Sequence, residues 1–193
     1  MNKDTAIFEP KNQADWRNWL QENHVTQDSI WVIFHKKNSP NPNLDWGEAV
    51  DESLCFGWID STKKSIDTHR FQQYFCKRKP TSTWSKVNKD KVEELIAAGK
   101  MTQAGLQSIE IAKQNGSWTI LDSAEALELP PEMEQEFEQH PKAGAFFGSL
   151  SKSARKVMLM WIAMAKRPAT KLQRIAEIVE CAKEGKKPDR FNV

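Results

Sequence analysis

The stretch Asp45-Trp46-Gly47-Glu48-Ala49-Val50-Asp51-Glu52-Ser53-Leu54-Cys55-Phe56-Gly57-Trp58-Ile59-Asp60 decides the class of fold. Asp45 and Glu48 have the spacing of a capping box, in which each side chain bonds the other residue's backbone N–H. Ala49, Val50, Leu54 and Phe56 follow, so a helix starts at the box. Gly57 stands where a left-handed residue closes a helix, and Trp58-Ile59-Asp60 reads as the start of a strand. A helix handed to a strand through one glycine implies an α+β fold.

On the N-terminal side, Ala6-Ile7-Phe8 reads as a short strand ended by Pro10. Asn12 can cap a helix that puts Trp16, Trp19 and Leu20 on one face. Ser29 to His35 encloses Ile30-Trp31-Val32-Ile33-Phe34, apolar on both faces, as expected of a central strand covered on each side. His69-Arg70-Phe71-Gln72-Gln73-Tyr74-Phe75 predicts an antiparallel neighbour for the Trp58 strand. Beyond Pro80 the periodicity is helical, near Trp84–Ala98, Thr102–Gln114, Pro131–Gln139, Lys142–Leu150, Lys152–Lys166 and Ala169–Glu184. The Arg167-Pro168 break makes the last two an αα-hairpin. One face of its first helix carries Ala154, Val157, Met158, Trp161, Met164 and Ala165, so Trp161 and Met164 are expected to pack on Ile175 and Val179. Leu121–Pro131, acidic and ending Leu-Pro-Pro, reads as a linker between an α+β domain over 1–120 and a helical region over 131–193. The fold expected is a small mixed sheet with helices, then a helical C-terminal part.

The 193 residues carry a net charge of +2 and 28% charged residues, a composition far from the disordered class. The charge is uneven. Residues 122–139 hold seven acids and no Lys or Arg, whereas 151–190 hold eleven Lys/Arg against four acids. Adjacent blocks of opposite sign favour attraction within one fold over a basic face open to nucleic acid. Nucleic acid is therefore the disfavoured partner. The N-terminus has no apolar signal-peptide core, and no apolar run is long enough to span a bilayer. A cytoplasmic, non-transmembrane chain is expected. Cys55, Cys76 and Cys181 are odd in number and widely spaced, which suits a reduced compartment and matches no disulfide framework or zinc spacing.

The search for chemistry is mostly negative. Gly-rich phosphate loops, His-Glu-x-x-His and Gly-x-Ser-x-Gly are absent, and His24, His35, His69 and His140 are scattered. No cofactor, metal ligand or catalytic residue is assigned. Unusual polar residues gather between Lys36 and Asn88. Asp60 shares a strand face with Trp58, and a partly buried carboxylate needs a cation or N–H donors; Lys37, Arg70 and Arg78 are the nearest by topology. On a helix from Trp84, Asn88 falls between Val87, Val92, Leu95 and Ile96, where an amide must find partners. One reading is an ordinary Asp–Arg pair in a filled interior. The other is a pocket of Lys37, Trp58, Asp60, Arg70, Arg78, Ser82, Trp84 and Asn88, suited to an anionic or zwitterionic small molecule.

Several motifs here form a pattern: Trp16-x-x-Trp19-Leu20, Lys36-Lys37-x-Ser39, the run from Glu48 to Ser61 with Gly57-Trp58-Ile59-Asp60, Arg78-Lys79-Pro80-x-Ser82-x-Trp84-Ser85-x-x-Asn88, and Leu95-Ile96-x-x-Gly99-x-Met101-Thr102-x-Ala104-Gly105. Near the C-terminus stands Trp161-Ile162-x-x-Ala165-Lys166-Arg167-x-x-Thr170-x-x-Arg174-Ile175. Over nearly its whole length the chain resembles the YdeI/OmpD-associated, or bacteriocin-protection, family. Lys77 departs from the pattern, which has proline before Arg78. The resemblance implies a link to resistance against cationic antimicrobial peptides or bacteriocins and to a porin, but no catalytic mechanism. The leading expectation is a non-catalytic binding or stress-protection protein, with a small molecule or a protein as partner. The alternatives are an enzyme using Asp60 as acid or base with Arg70 or Arg78 holding an anion, and a nucleic-acid binder using the basic hairpin.

Overall fold

A computed structural model describes residues 6–192 and divides them into two compact units. The first takes residues up to 82 and 87–118, and the second takes 83–86 and 119 onward.

The first unit is built on a four-stranded mixed sheet: β1 (Ile7–Phe8), β2 (Ser29–His35), β3 (Trp58–Ser65) and β4 (Arg70–Lys77), in the order β1-β2-β4-β3. β1 runs parallel to β2, while β4 lies antiparallel to both β2 and β3. Helix α1 (Gln13–Asn23) starts at Asn12, whose side chain accepts from the Asp15 N–H at 3.0 Å. Helix α2 (Trp46–Cys55) starts at the Asp45/Glu48 capping box. Aromatic rings join helix to sheet: Trp16 lies 5.4 Å from Phe75 and Trp19 meets Trp58 edge-on at 5.8 Å.

The expectation that β2 is covered on both sides is corrected. Ile30, Val32 and Phe34 are buried, but Ser29, Trp31, Ile33 and His35 are only half-buried. Largely antiparallel sheets can leave one face accessible. Here Trp31 packs edge-on against Tyr74 at 5.1 Å, with the Lys64 ammonium 4.7 Å above its ring. Large apolar residues on that second face therefore do not mark a second core.

Helices α3 (Lys86–Ala97) and α4 (Gln103–Gln114) follow. The amide Asn88 does not sit amid a buried apolar arc: only Val92 and Leu95 are buried on α3, and Val87 and Ile96 are exposed. Gly105 of α4 sits against the end of α2, where an added Cβ would meet the Cys55 carbonyl oxygen at 2.3 Å. The same carbonyl accepts from the Thr102 N–H at 3.1 Å and hydroxyl at 2.6 Å.

The second unit is helical. The segment expected to be a linker instead contains α5 (Asp122–Glu125), with Leu121 and Ala124 buried. Helices α6 (Pro131–Gln139), α7 (Pro141–Ser149), α8 (Lys152–Ala163) and α9 (Pro168–Lys183) follow, then a 3-10 turn at Asp189–Phe191. Met133, Phe137, Phe147, Met158, Ile162, Ile175 and Ile178 form the core. The inward arc of α8 is Met158, Leu159 and Ile162, rotated from the one expected, so Val157 and Met164 are about half exposed. Trp161 is partly buried against the core cluster that holds Ile175 and Val179, and also takes Phe191 edge-on at 5.6 Å and the guanidinium of Arg190 at 4.0 Å over its ring.

Candidate functional site

The hinge between α2 and β3 sets the geometry of the site. Gly57 has φ +73°, and its carbonyl accepts the Arg78 N–H at 2.9 Å. That bond continues the β3–β4 pairing beyond Trp58↔Lys77 and brings Arg78 beside Trp58. Lys77 donates its own N–H to the Asp28 carbonyl at 3.0 Å. Proline has no N–H to make that bond, which accounts for the departure from the motif. Pro80 is held by Asn115 Nδ2 and Ser117 Oγ, which donate to its carbonyl at 2.8 and 3.2 Å.

These elements enclose a pocket of about 310 Å³ in the first unit. Lys77, Arg78, Lys79 and Pro80 form one wall, His24 and Val25 the rim, Phe56, Gly57 and Trp58 the hinge side, and Ala104, Gln107, Ser108 and Ile111 of α4 the opposite wall. None of the thirteen lining residues is an Asp or Glu, while three are Lys or Arg. His24 donates through Nδ1 to the Leu20 carbonyl at 2.9 Å, which leaves its Nε2 for other partners. Trp58 is fully buried, and its indole N–H makes no hydrogen bond among the described residues. A buried donor left in that state costs about 1–3 kcal/mol unless something accepts from it.

The guanidinium of Arg78 has its Nε and Nη2 shielded from solvent. Burial pushes it down to about 10, with the nearby charges of Asp60 and Cys76 pulling the other way. Asp60 stands behind the pocket and is not one of its lining residues. Its Oδ2 accepts the Trp46 indole N–H at 3.2 Å and Gln73 Nε2 at 3.0 Å. A bulge between Asp60 and Lys63 places two residues of β3, Ser61 and Thr62, opposite Tyr74 alone, an arrangement that re-aims side chains. Burial lifts the Asp60 carboxyl above its ordinary value, against the Trp46, Arg78 and Gln73 contributions.

The remaining candidates scatter. Arg70 is committed to Asp67 in the β3–β4 turn at 2.9 Å, and its strand position pairs with His35, five residues from Phe75, the partner of Asp60. Lys37 lines a separate cleft with Trp46. Ser82 closes a turn onto the Lys79 carbonyl at 2.9 Å. Trp84 is buried and belongs to the second unit, and Asn88 is half-buried on the first turn of α3. Sequence reasoning missed His24, Phe56, Gln107 and Ser108, and it did not connect Lys77 and Lys79 with Arg78. The basic run Lys77-Arg78-Lys79 was the available signal for the cations; nothing local marks the residues of α4.

Reasoning from sequence also missed a buried ion pair. Glu52 is 4% exposed, accepting Arg17 Nη1 at 2.5 Å and Gln13 Nε2 at 2.8 Å. Burial raises the neighbouring Cys55 thiol, and the charge of Glu52 adds to it. Every acceptor here has a partner, so the cluster ties α1 to α2. Among the described residues, no group of three or more His, Cys, Asp or Glu is placed to hold a metal, and no helix is long and apolar enough to cross a membrane.

Fold and cavity together define an α+β protein with a cation-lined pocket on its mixed-sheet unit. The chain belongs to the family described as Domain of unknown function (DUF8412), whose model matches residues 8–108. Residues 126–185 match the family described as Bacteriocin-protection, YdeI or OmpD-Associated. The likeness to that second family, expected over nearly the whole chain, thus covers the helical C-terminal part, and the Gly57-Trp58-Ile59-Asp60 motif falls in the first. No curated protein and no solved structure matches the chain.

Proposed function

We propose that the chain is a non-catalytic binding protein of the stress-protection type that holds a small organic anion with an apolar body in the Arg78 pocket. The observation that carries this reading is the composition of the lining: Arg78 and Lys79, with Lys77 paired to Asp28 at 3.0 Å, and no Asp or Glu among the lining residues, beside a buried indole N–H. In a site shielded from water, a guanidinium attracts a carboxylate or phosphate far more strongly than at an open surface. Phe56, Ala104 and Ile111 supply the apolar contact. The description of the family matched by residues 126–185 supports a protective role.

Thermal denaturation in the presence of single organic anions tests the reading. A ligand at a hundred times its Kd raises the melting temperature of a chain this size by about 5–10 °C. Arg78→Ala is expected to abolish the shift and Trp58→Phe, which keeps most of the ring but loses the N–H, to reduce it. If no carboxylate or phosphate compound in a broad panel moves the melting temperature, the pocket reading is wrong. An acid–base role for Asp60 is the second reading, favoured by its raised carboxyl; Asp60→Asn would then abolish turnover of a substrate while leaving its binding intact.

A further inference from the structure

A second cleft in the first unit shares no lining residue with the Arg78 pocket. It has a volume of about 350 Å³ and is bounded by Phe34, Lys36, Lys37, Asn43, Asp45, Trp46, Glu48 and Phe71, among others. We propose that this cleft binds a free aromatic α-amino acid. Lys37 takes the carboxylate, Glu48 takes the ammonium, and the ring lies against Trp46 and the Phe34–Phe71 pair.

The walls are aromatic and already fixed in place. Phe34 and Phe71 stack at 5.1 Å with their planes 12° apart, and the Lys63 ammonium lies 4.0 Å over Phe71. Trp46 is 47% exposed, and its orientation is set by the indole N–H bond to Asp60. No ring or cation lies against Trp46 among the described residues. An exposed indole, pinned by its edge and open on its face, is suited to stack a flat ligand. The loop that shapes the cleft is held by Asn43, which accepts the His35 N–H at 2.9 Å and donates to the Pro10 and Ile33 carbonyls, each at 3.0 Å.

The charges decide the class of ligand. Lys36 is spent on the Asp67 carbonyl at 2.7 Å, but Lys37 makes no hydrogen bond or ion pair among the described residues. Asp45 is committed to capping α2 through Gly47, at 2.7 Å. Glu48 uses Oε2 on the Asp45 N–H at 3.3 Å, which leaves Oε1 available. A simple anion entering the cleft meets Asp45 and Glu48, and a simple cation meets Lys36 and Lys37. A zwitterion offers the complementary sign to each, and an aromatic side chain fills the space between the rings.

The test is calorimetry or ligand-observed magnetisation transfer on the full chain with L-phenylalanine, compared with 3-phenylpropanoate, phenethylamine and N-acetyl-phenylalanine amide. L-Phenylalanine is expected to bind saturably at millimolar concentration, with each one-charge compound about tenfold weaker. Lys37→Ala and Glu48→Gln are each expected to weaken it about tenfold, and Trp46→Ala to remove saturable binding. Glutamine also serves at this capping-box position, so Glu48→Gln removes the charge and keeps the helix start; unchanged circular dichroism checks the fold of every variant. Absence of saturable binding would overturn the proposal, as would equal affinity for 3-phenylpropanoate or for the Lys37 and Glu48 variants. Arg78→Ala is expected to leave L-phenylalanine binding unchanged. Loss in that variant, with Lys37→Ala unaffected, would move the ligand to the other pocket and overturn this assignment without touching the Arg78 reading.

Discussion

At Gly57 and Gly105, one hydrogen atom in place of a side chain lets α2, β3 and α4 meet. Gly57 needs its positive φ, and a Cβ there would also press to 3.0 Å from the Ala104 carbonyl oxygen. Gly105 has no special φ, yet its Cβ would sit 2.3 Å from backbone oxygen, which cannot swing aside as a side chain can. Gly57→Val is expected to cost more than about 1 kcal/mol, and Gly105→Ala about 1–3 kcal/mol or more, measured by urea denaturation. A Gly105→Ala protein as stable as the parent would mean that α4 can move away from Cys55. The sequence marks the first glycine through its place between a helix and a strand. It places the second only in a motif and gives no reason for it, since that reason, the Cys55 carbonyl, lies fifty residues away.

Between elements, the deciding interactions are ion pairs that join the acidic and basic blocks. Lys156 of α8 bonds Glu125 of α5 at 2.7 Å, and Lys171 of α9 bonds Glu132 of α6 at 2.9 Å. Burial by itself would raise the Glu125 carboxyl, but the Lys156 ammonium and the Lys86 N–H outweigh it and hold the group below its ordinary 4.5. A carboxyl lowered in the folded state adds stability above its unfolded value, and that stability is lost as pH falls through the folded value. The second unit is therefore expected to lose stability below about pH 4.5, and Glu125→Gln to flatten that part of the pH profile in chemical denaturation. A profile unchanged by the substitution would place the acid sensitivity elsewhere. The same elements show why periodicity misjudged α8. Its apolar residues cover more than one face, so they cannot say which arc points inward; the neighbours α5 and α9 choose Met158, Leu159 and Ile162.

Over the whole molecule, charge pairing bears on which partners are available. With Lys156, Lys171, Lys183 and Arg190 all paired to glutamates, part of the basic block is already neutralised within the fold, which weakens its draw on a phosphate backbone. Fluorescence anisotropy with short duplex DNA at low salt is expected to show no micromolar binding; micromolar affinity that collapses on adding salt would restore the nucleic-acid reading. The α+β class, the capped helix starts at Asn12 and Asp45, the hinge at Gly57 and the antiparallel pairing of β3 with β4 were legible in the chain, because each rests on residues close together along it. The membership of the site was not. Arg70 and Arg78 look equivalent in sequence, but strand register sends one to Asp67 in a turn and the other to a pocket beside Trp58. Asp60 shares a strand face with Trp58 in the sequence, but its carboxylate accepts from Trp46 and Gln73 and lies outside the lining of the Arg78 pocket. His24, Gln107 and Ser108 enter the pocket only because α4 docks on the end of α2. Local hydrogen bonding and steric preference act along the chain and leave a trace in it; which distant side chains share a cavity depends on packing between elements, and that is settled only when the elements meet.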